Sequence, residues 1–276
     1  MARKQKIACL TVDLEQDYGD LCPAPAFAGL ELVPPLLQFA RDHEVPLSWF
    51  VQGALFETHP TVVGQVAAAS PADVYLHGYG HADPRSVDQV EEMTKGSHAF
   101  EAFLGARPTG YRAPLGVITP AELTFLAANG FTFDSSIFPT WRPGRFFHWW
   151  RPNQPHHVNG GRLWEILISV VGRWMPVPLS ISYLKLMGQP FRRAMRRMPL
   201  PEVVVIGMHM HDLESLPSSS CIRADAEGAL LLARCYGARA ASGWGVLKGL
   251  VTMLRARGYR FAAISGLLQS QAGAGA

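Results

Sequence analysis

The sequence predicts an α/β fold built on parallel strands. Three observations carry that reading. Strand-like and helix-like stretches alternate almost from end to end, the pattern of parallel strands joined by crossover helices. Polar residues capable of chemistry recur where strands end: Asp13 and Glu15, His77 and His81, Arg112, Asp134, then His209 and His211. In a parallel barrel those ends share one rim, where active sites sit. Finally, 276 residues with 48% hydrophobic and 17% charged content suit one large folded domain with a sizeable core.

The elements follow in order. "KIACLTVDLE" is a buried strand ending in acids. "LELVPPLLQFARDHEV" is a helix with Pro34 and Pro35 near its first turn, where proline is tolerated. "PLSWFVQG" is the next strand, "HPTVVGQVAAAS" a helix, and "ADVYLHGYGH" a strand running into a polar loop. "SVDQVEEMTKGSHAFEAFLG" has helical spacing and stops at Gly105. "PTGYRAPLG" is strand and loop, and "TPAELTFLAANG" is a helix capped by Thr119 and closed by Gly130. "FTFDSSIF" and "EVVVIGMHMHD" are strands, "GWGVLKGLVTMLRARG" is a helix, and "YRFAAISGLL" closes the chain. The stretch 139–200, rich in Pro, Trp and Arg, breaks the rhythm and reads as a long loop or insertion within a single domain spanning 1–276.

Composition excludes several classes. A formal charge of +3 is too weak to imply nucleic acid. The four cysteines form no close pair, so neither a zinc finger nor a disulfide framework is expected. The apolar run behind the basic N-terminus meets Asp13 at once, which makes it a strand rather than a signal peptide. No uninterrupted apolar run approaches the roughly 20 residues of a membrane span. The expected location is cytoplasmic, with membrane association as an option. That option rests on "PFRRAMRRMPLP", whose Arg192, Arg193, Arg196 and Arg197 would form one cationic face on a helix beside an apolar stretch. Such a face either meets an anionic membrane or a lipid-linked diphosphate, or is a solvated surface.

In "LHGYGH", His77 and His81 lie four apart, with Gly78 and Gly80 favouring a tight loop over a helix. Alone, the pair fits two hydrogen-bonded histidines as well as two metal ligands. The acids of "TVDLEQDYGD" change the balance. Asp13 and Glu15 are two apart on a strand and share a face. Two histidines and one carboxylate make a site with open positions, and a second carboxylate beside it can accept a proton from water. Arg112 orients a carboxylate or makes a structural salt bridge. Asp134 orients a histidine or caps a turn. Of His209 and His211, one suits a general acid. Trp141, Trp149, Trp150 and Trp164 suit stacking on sugar rings or ordinary packing.

The ordered blocks "TVDLE", "HGYGH", "YRAPLG", "FDSSIFP" and "MHMHD" resemble the polysaccharide deacetylase superfamily, the NodB-homology group or carbohydrate esterase family four, over roughly residues 7–265. The nearer likeness is to the branch whose first block reads Asp-x-Glu or Asp-x-Asp, and the insertion "LWEILISVVGRWMPVPLSISYLKLMG" resembles a stretch of its exopolysaccharide-locus members. The resemblance implies a distorted (β/α)7 barrel, a divalent metal, most often zinc, and removal of acetyl groups from N-acetyl sugars, polymeric or lipid-linked. It implies Asp13 as general base, Glu15, His77 and His81 as metal ligands with Asp17 as the alternate acid, and Arg112 as the residue holding the base. His211, directly before Asp212, matches the general acid, with His209 as the alternate. Asp134 matches the acid that tunes that histidine. Trp141, Trp149 and Tyr111 are the substrate-contact candidates. Two competing classes are a related hydrolase of non-sugar amides and a non-catalytic glycan-binding barrel.

Overall fold

The computed structural model describes residues 5–22, 24–81, 86–142, 146–172, 174–222, 234–237 and 240–274. The parallel strands are β1 (Lys6–Leu14), β2 (Leu47–Val51), β3 (Val74–Leu76), β4 (Gly110–Tyr111) and β5 (Phe133–Asp134). Two hairpin strands follow, β6 (Trp141–Arg142) and β7 (Phe146–Phe147), then β8 (His156–Val158) and β9 (Leu163–Glu165). A second hairpin, β10 (Val170–Val171) and β11 (Val177–Pro178), precedes β12 (Val203–His209) and β13 (Tyr259–Phe261). The helices are α1 (Val33–Asp42), α2 (Leu55–Thr58), α3 (Pro60–Ala69), α4 (Gln89–Leu104), α5 (Pro120–Ala128), α6 (Ile181–Met195), α7 (Gly243–Ala256) and α8 (Ile264–Ala274).

The main sheet runs β12-β1-β2-β3-β4-β5-β9-β8, with β13 added beside β1. The first seven of these strands pair in parallel, and only β8 pairs antiparallel. The sheet curls far enough for chain 166–180 to bridge its open side. Ser169 N donates to Val205 O at 3.0 Å, and Gly207 N donates to Leu179 O at 3.0 Å. The result is the expected distorted barrel. The stretch 139–200 is more than a loop, because it supplies β9, a barrel strand, and the closing segment.

Side-chain alternation sets up the site. Along β1, Ala8, Leu10, Val12 and Leu14 pack outward against the helices. Ile7 and Cys9 pack inward with Phe50, Phe133, Ile168 and Val205. Thr11 also points in, its hydroxyl donating to Ile206 O at 2.8 Å. Continuing that parity delivers Asp13 to the inner mouth, with Glu15 immediately past the strand. Local signals behave as the sequence implies. Asp88 caps α4 through Val90 N and Glu91 N, Gly105 ends it at φ 71°, and Thr119 with Glu122 forms a capping box on α5. Cys9 and Cys235 are buried free thiols, and Cys22 is buried too. No described helix is long and apolar enough to cross a membrane.

Candidate active site

At the C-terminal mouth, one oxygen of Glu15 collects both histidines. His77 Nε2 lies 2.9 Å and His81 Nε2 2.7 Å from Glu15 Oε2, and all three residues are buried. His77 Nδ1 faces the Arg112 carbonyl at 2.8 Å. That contact orients the ring so that Nε2 faces Glu15. Burial alone would raise the Glu15 carboxyl, but His81, His209 and His77 outweigh it and hold it well below the usual range. A two-histidine, one-carboxylate set with its ligand atoms mutually within 4.8 Å suits a divalent cation in donor chemistry and in spacing. His81 Nδ1 is buried without a partner among the described residues.

The loop between the histidines is held from three sides. Gly78 takes φ 61°, which suits glycine, and its carbonyl accepts from Gly53 N at 2.9 Å. A Cβ on Gly53 or on Gly96 of α4 would stand 2.9 Å from that same oxygen. Glu92 of α4 accepts from Tyr79 N at 3.2 Å and Gly80 N at 2.6 Å.

Asp17, the alternate acid, points elsewhere. Its oxygens accept from Gly29 N at 3.0 Å and the Ser218 hydroxyl at 2.8 Å. Glu15 is therefore the carboxylate facing the histidine pair.

Asp13 sits beside this cluster. Its Oδ1 accepts from Arg112 Nη1 at 2.5 Å. Arg112 is fully enclosed: Nε donates to Ser135 O at 3.1 Å, Nη2 to the Ser135 hydroxyl at 2.8 Å, and the guanidinium lies 3.9 Å over the Phe50 ring. The other Asp13 oxygen faces His209 Nε2 at 3.7 Å, which is also 3.9 Å from Glu15 Oε1.

The two histidines after β12 differ sharply. In register, Asp13 pairs with His209. His209 is 31% exposed at its side chain, and its Nδ1 lies 3.2 Å from Asp212 Oδ2. Burial opposes its charging, yet Glu15, Asp212 and Asp13 raise its pKa to about 10. His211 is buried on the following turn and accepts from Tyr18 N at Nδ1, 3.2 Å away. Burial, with His209 beside it, depresses His211 to about 4. His209 thus faces the Asp13 and Glu15 carboxylates at the mouth, whereas His211 lies buried beside it with Nδ1 engaged by Tyr18 N. His211 instead stacks under His209, with centroids 4.9 Å apart and planes at 6°.

Asp134 also needs correcting. Its oxygens accept from Ser136 N at 3.0 Å and the Ser136 hydroxyl at 2.6 Å. Its carboxyl partner is Glu165, opposite it in register on β9, and both are fully buried. Asp212, not Asp134, backs the histidine. The Asp134 pair instead shores up the arginine loop, because the Ser136 hydroxyl accepts from Ala113 N at 2.8 Å. Among substrate candidates, Tyr111 is completely buried and packs with Leu76, Met93 and Leu126 on the outer face of β4, so it cannot touch a substrate. Trp149 is half-buried, and Trp141 is exposed on the β6–β7 hairpin. The cationic helix face is broken as well. Gly188 kinks α6 at φ 75°, and Arg192 turns back so that Nη1 donates to Leu184 O at 2.7 Å. Arg193, Arg196 and Arg197 remain exposed.

A family model described as polysaccharide deacetylase matches residues 2–133. Over 94 residues the chain is 34% identical to the peptidoglycan deacetylase-like protein FGM2 of Gibberella zeae, covering 33% of this chain and 28% of that protein. The match thus spans little more than a quarter of that relative. A Pseudomonas aeruginosa PAO1 structure named as a probable polysaccharide deacetylase superposes with TM-score 0.57 at 15% identity, over 95% of this chain and 89% of the other. The Bc1960 peptidoglycan N-acetylglucosamine deacetylase superposes with TM-score 0.53 at 15% identity, over 94% and 86%. At such identities the structures establish the fold alone. The family-model match over residues 2–133, the shared barrel and the order of the five blocks make this chain similar to the polysaccharide deacetylases.

Proposed function

We propose that the protein hydrolyses the N-acyl group, in the first instance acetyl, of an amino sugar in a polymeric or lipid-linked glycan. The observation that carries this reading is the placement of Asp13 between Arg112 at 2.5 Å and His209 at 3.7 Å, beside Glu15, His77 and His81. Amide hydrolysis needs a base for water and an acid for the departing amine, and here both face one mouth.

Glu15, His77 and His81 would hold the divalent metal, with zinc as the first candidate for this ligand set. A bound metal would supply Lewis-acid polarisation of the acyl carbonyl and acidify water. Asp13 accepts the proton of the attacking water. Arg112 aims that carboxylate through a guanidinium locked by Ser135, so little orientation is lost on reaction. His209, protonated and backed by Asp212, donates to the leaving nitrogen. Trp141 offers a ring at the rim for stacking on the sugar. The proposed location is the cytoplasm, where buried free thiols such as Cys9 and Cys235 stay reduced.

The test is acetate release from N-acetylglucosamine oligomers and from lipid-linked N-acetyl sugars, with and without added zinc. Release that disappears in Asp13→Asn supports the reading. No release from any N-acetyl sugar, with hydrolysis of small cyclic amides instead, would move the protein to the non-sugar class. A chain that binds glycans but hydrolyses neither substrate would be a non-catalytic barrel.

A further inference from the structure

Helices α6 and α7 pack side by side on the outside of the barrel, and a groove of about 430 Å³ opens between them, a size within the range of small-molecule sites. Its floor is apolar. Leu184 and Met195 of α6 meet Val246, Leu250 and Met253 of α7, and all are buried. Its edge is cationic, formed by Arg192, Arg193 and Arg196. A second hollow of about 390 Å³ shares Arg193 and Arg196 with the first and adds Arg197. The cationic end lies away from the Asp13 mouth. Arg257, in the turn before β13, donates to Met195 O at 3.3 Å and Met198 O at 2.8 Å. β13 in turn begins beside Lys6, the first residue of β1.

The sequence keeps this groove open and its charge unmet. Gly245 and Gly249 lie one turn apart on the α7 wall. A Cβ on either would meet nothing within 4 Å, and neither takes a positive φ. Glycine inside a helix costs stability relative to alanine, and here neither packing nor backbone conformation calls for it. Residues 181–197 hold Lys185, Arg192, Arg193, Arg196 and Arg197 without one acid, and residues 243–256 hold Lys248 and Arg255, again without one. Glu214 lies at the other, mouth end of α7, accepting from Trp244 Nε1 at 2.8 Å. Arg192 reaches back across the Gly188 kink to Leu184 O at 2.7 Å, which holds its guanidinium at the groove edge. Arg193, Arg196 and Arg197 are exposed, and their side chains pair with no described residue. Like charges four apart on a helical turn, as Arg192 and Arg196 are, repel each other. A bound anion relieves that repulsion.

We propose that this groove binds a phosphorylated aliphatic amphiphile, its chain on the apolar floor and its phosphate among Arg193, Arg196 and Arg197. The guanidinium fork matches phosphate oxygens in pairs. Met195 and Met253 are unbranched and adapt to a flexible chain. No aromatic ring lines the groove among the described residues, so a nucleotide base or a sugar ring finds no platform there. A second copy of the chain would bring cations against cations. The groove shares no residue with the catalytic mouth, so the inference stands or falls apart from the proposed activity.

The experiment titrates the full chain calorimetrically with octyl phosphate below its micelle concentration, beside inorganic phosphate and octanol. Saturable binding of octyl phosphate at one site is expected. Inorganic phosphate should bind about tenfold or more weakly, the effect of leaving out even about two buried methylenes. Octanol should be weaker by about the same factor for want of the charge-assisted contacts. Arg193→Gln combined with Arg196→Gln should weaken octyl phosphate about tenfold or more. Gly249→Leu should do the same by filling the floor, while melting at or above the temperature of the parent. Vesicles containing phosphatidic acid separate the two sources of such a ligand. Capture that both variants weaken identifies a bilayer lipid, and indifference to vesicles identifies a dispersed amphiphile. Absence of octyl phosphate binding overturns the inference. So does equal affinity for inorganic phosphate, or binding that Gly249→Leu leaves unchanged, since the arginines would then be a plain anion-attracting surface. Self-association in sedimentation that Gly249→Leu abolishes, without octyl phosphate binding, would give the groove to a second copy and overturn it too.

Discussion

Arg112 Nη1 and Asp13 Oδ1 meet at 2.5 Å across 99 positions of sequence, both buried at the barrel mouth. The remaining guanidinium nitrogens are committed to Ser135. Lysine cannot reproduce that fork. Arg112→Lys should therefore lower kcat about 100-fold or more with a small change in KM, the loss expected for a misaimed base. Arg112→Ala should cost about 3–5 kcal/mol of stability, since it strands a buried carboxylate. Steady-state kinetics and denaturant melts check the pair. A fully active Arg112→Lys would remove Arg112 from the aiming role.

Glu15 and Asp17 are both buried acids, but only Glu15 faces the histidines. Glu15→Ala and His77→Ala should lose zinc measured by elemental analysis after dialysis, while Asp17→Asn should retain it. Glu92, which holds the spacer amides, should matter at one remove. Glu92→Ala is expected to weaken zinc affinity by about 10–100-fold, the usual effect of removing support from a ligand loop.

His209 and His211 separate in the same manner. His209→Gln should reduce kcat by about 10²–10⁴, the range for losing a positioned acid. His211→Gln should act mainly on stability. His211 is depressed to about 4 when folded, so its contribution is present above the unfolded value near 6.5 and is lost as pH falls through about 4. Thermal melts across that window should show less acid sensitivity in His211→Gln than in the parent. A kcat loss confined to His211 variants would reverse the assignment.

Burial pushes the Glu165 carboxyl well above its ordinary range, and the Asp134 carboxylate adds to the effect. A raised folded pKa stabilises below the unfolded value, about 4.3 for glutamate, and that stability is lost as pH rises through the raised folded value. Glu165→Gln keeps a hydrogen-bond donor toward Asp134 without titrating. Its melting temperature should vary less with pH above about 5 than the parent's. An identical pH profile for both proteins would show that Glu165 is already ionised.

The barrel was legible because strand and helix stretches alternate and because polar residues mark strand ends. Asp13 and Glu15 were readable as one-faced by simple alternation. The same rule, pressed further, distinguishes the two histidines. Val203, Val205, Gly207 and His209 share the inner face of β12, while His211 falls beyond the strand. It also removes Tyr111, which alternates with the inward Gly110 and Arg112. Glu165 and Glu92 were not legible. Glu165 lies in a stretch whose prolines and tryptophans mask a three-residue strand, and Glu92 reads as one more exposed helix acid until α4 is docked against the histidine loop. Long-range packing, rather than local pattern, gives both their partners.

The hydrogen bond from Gly53 N to Gly78 O makes the histidine loop observable without substrate or metal. The Gly53 amide can exchange with solvent only when that loop lifts from the turn after β2. Its exchange rate therefore reads the opening free energy of the ligand loop by itself. Comparing that rate with those of the β1 amides tells whether the mouth opens as a local unit or only when the whole barrel unfolds.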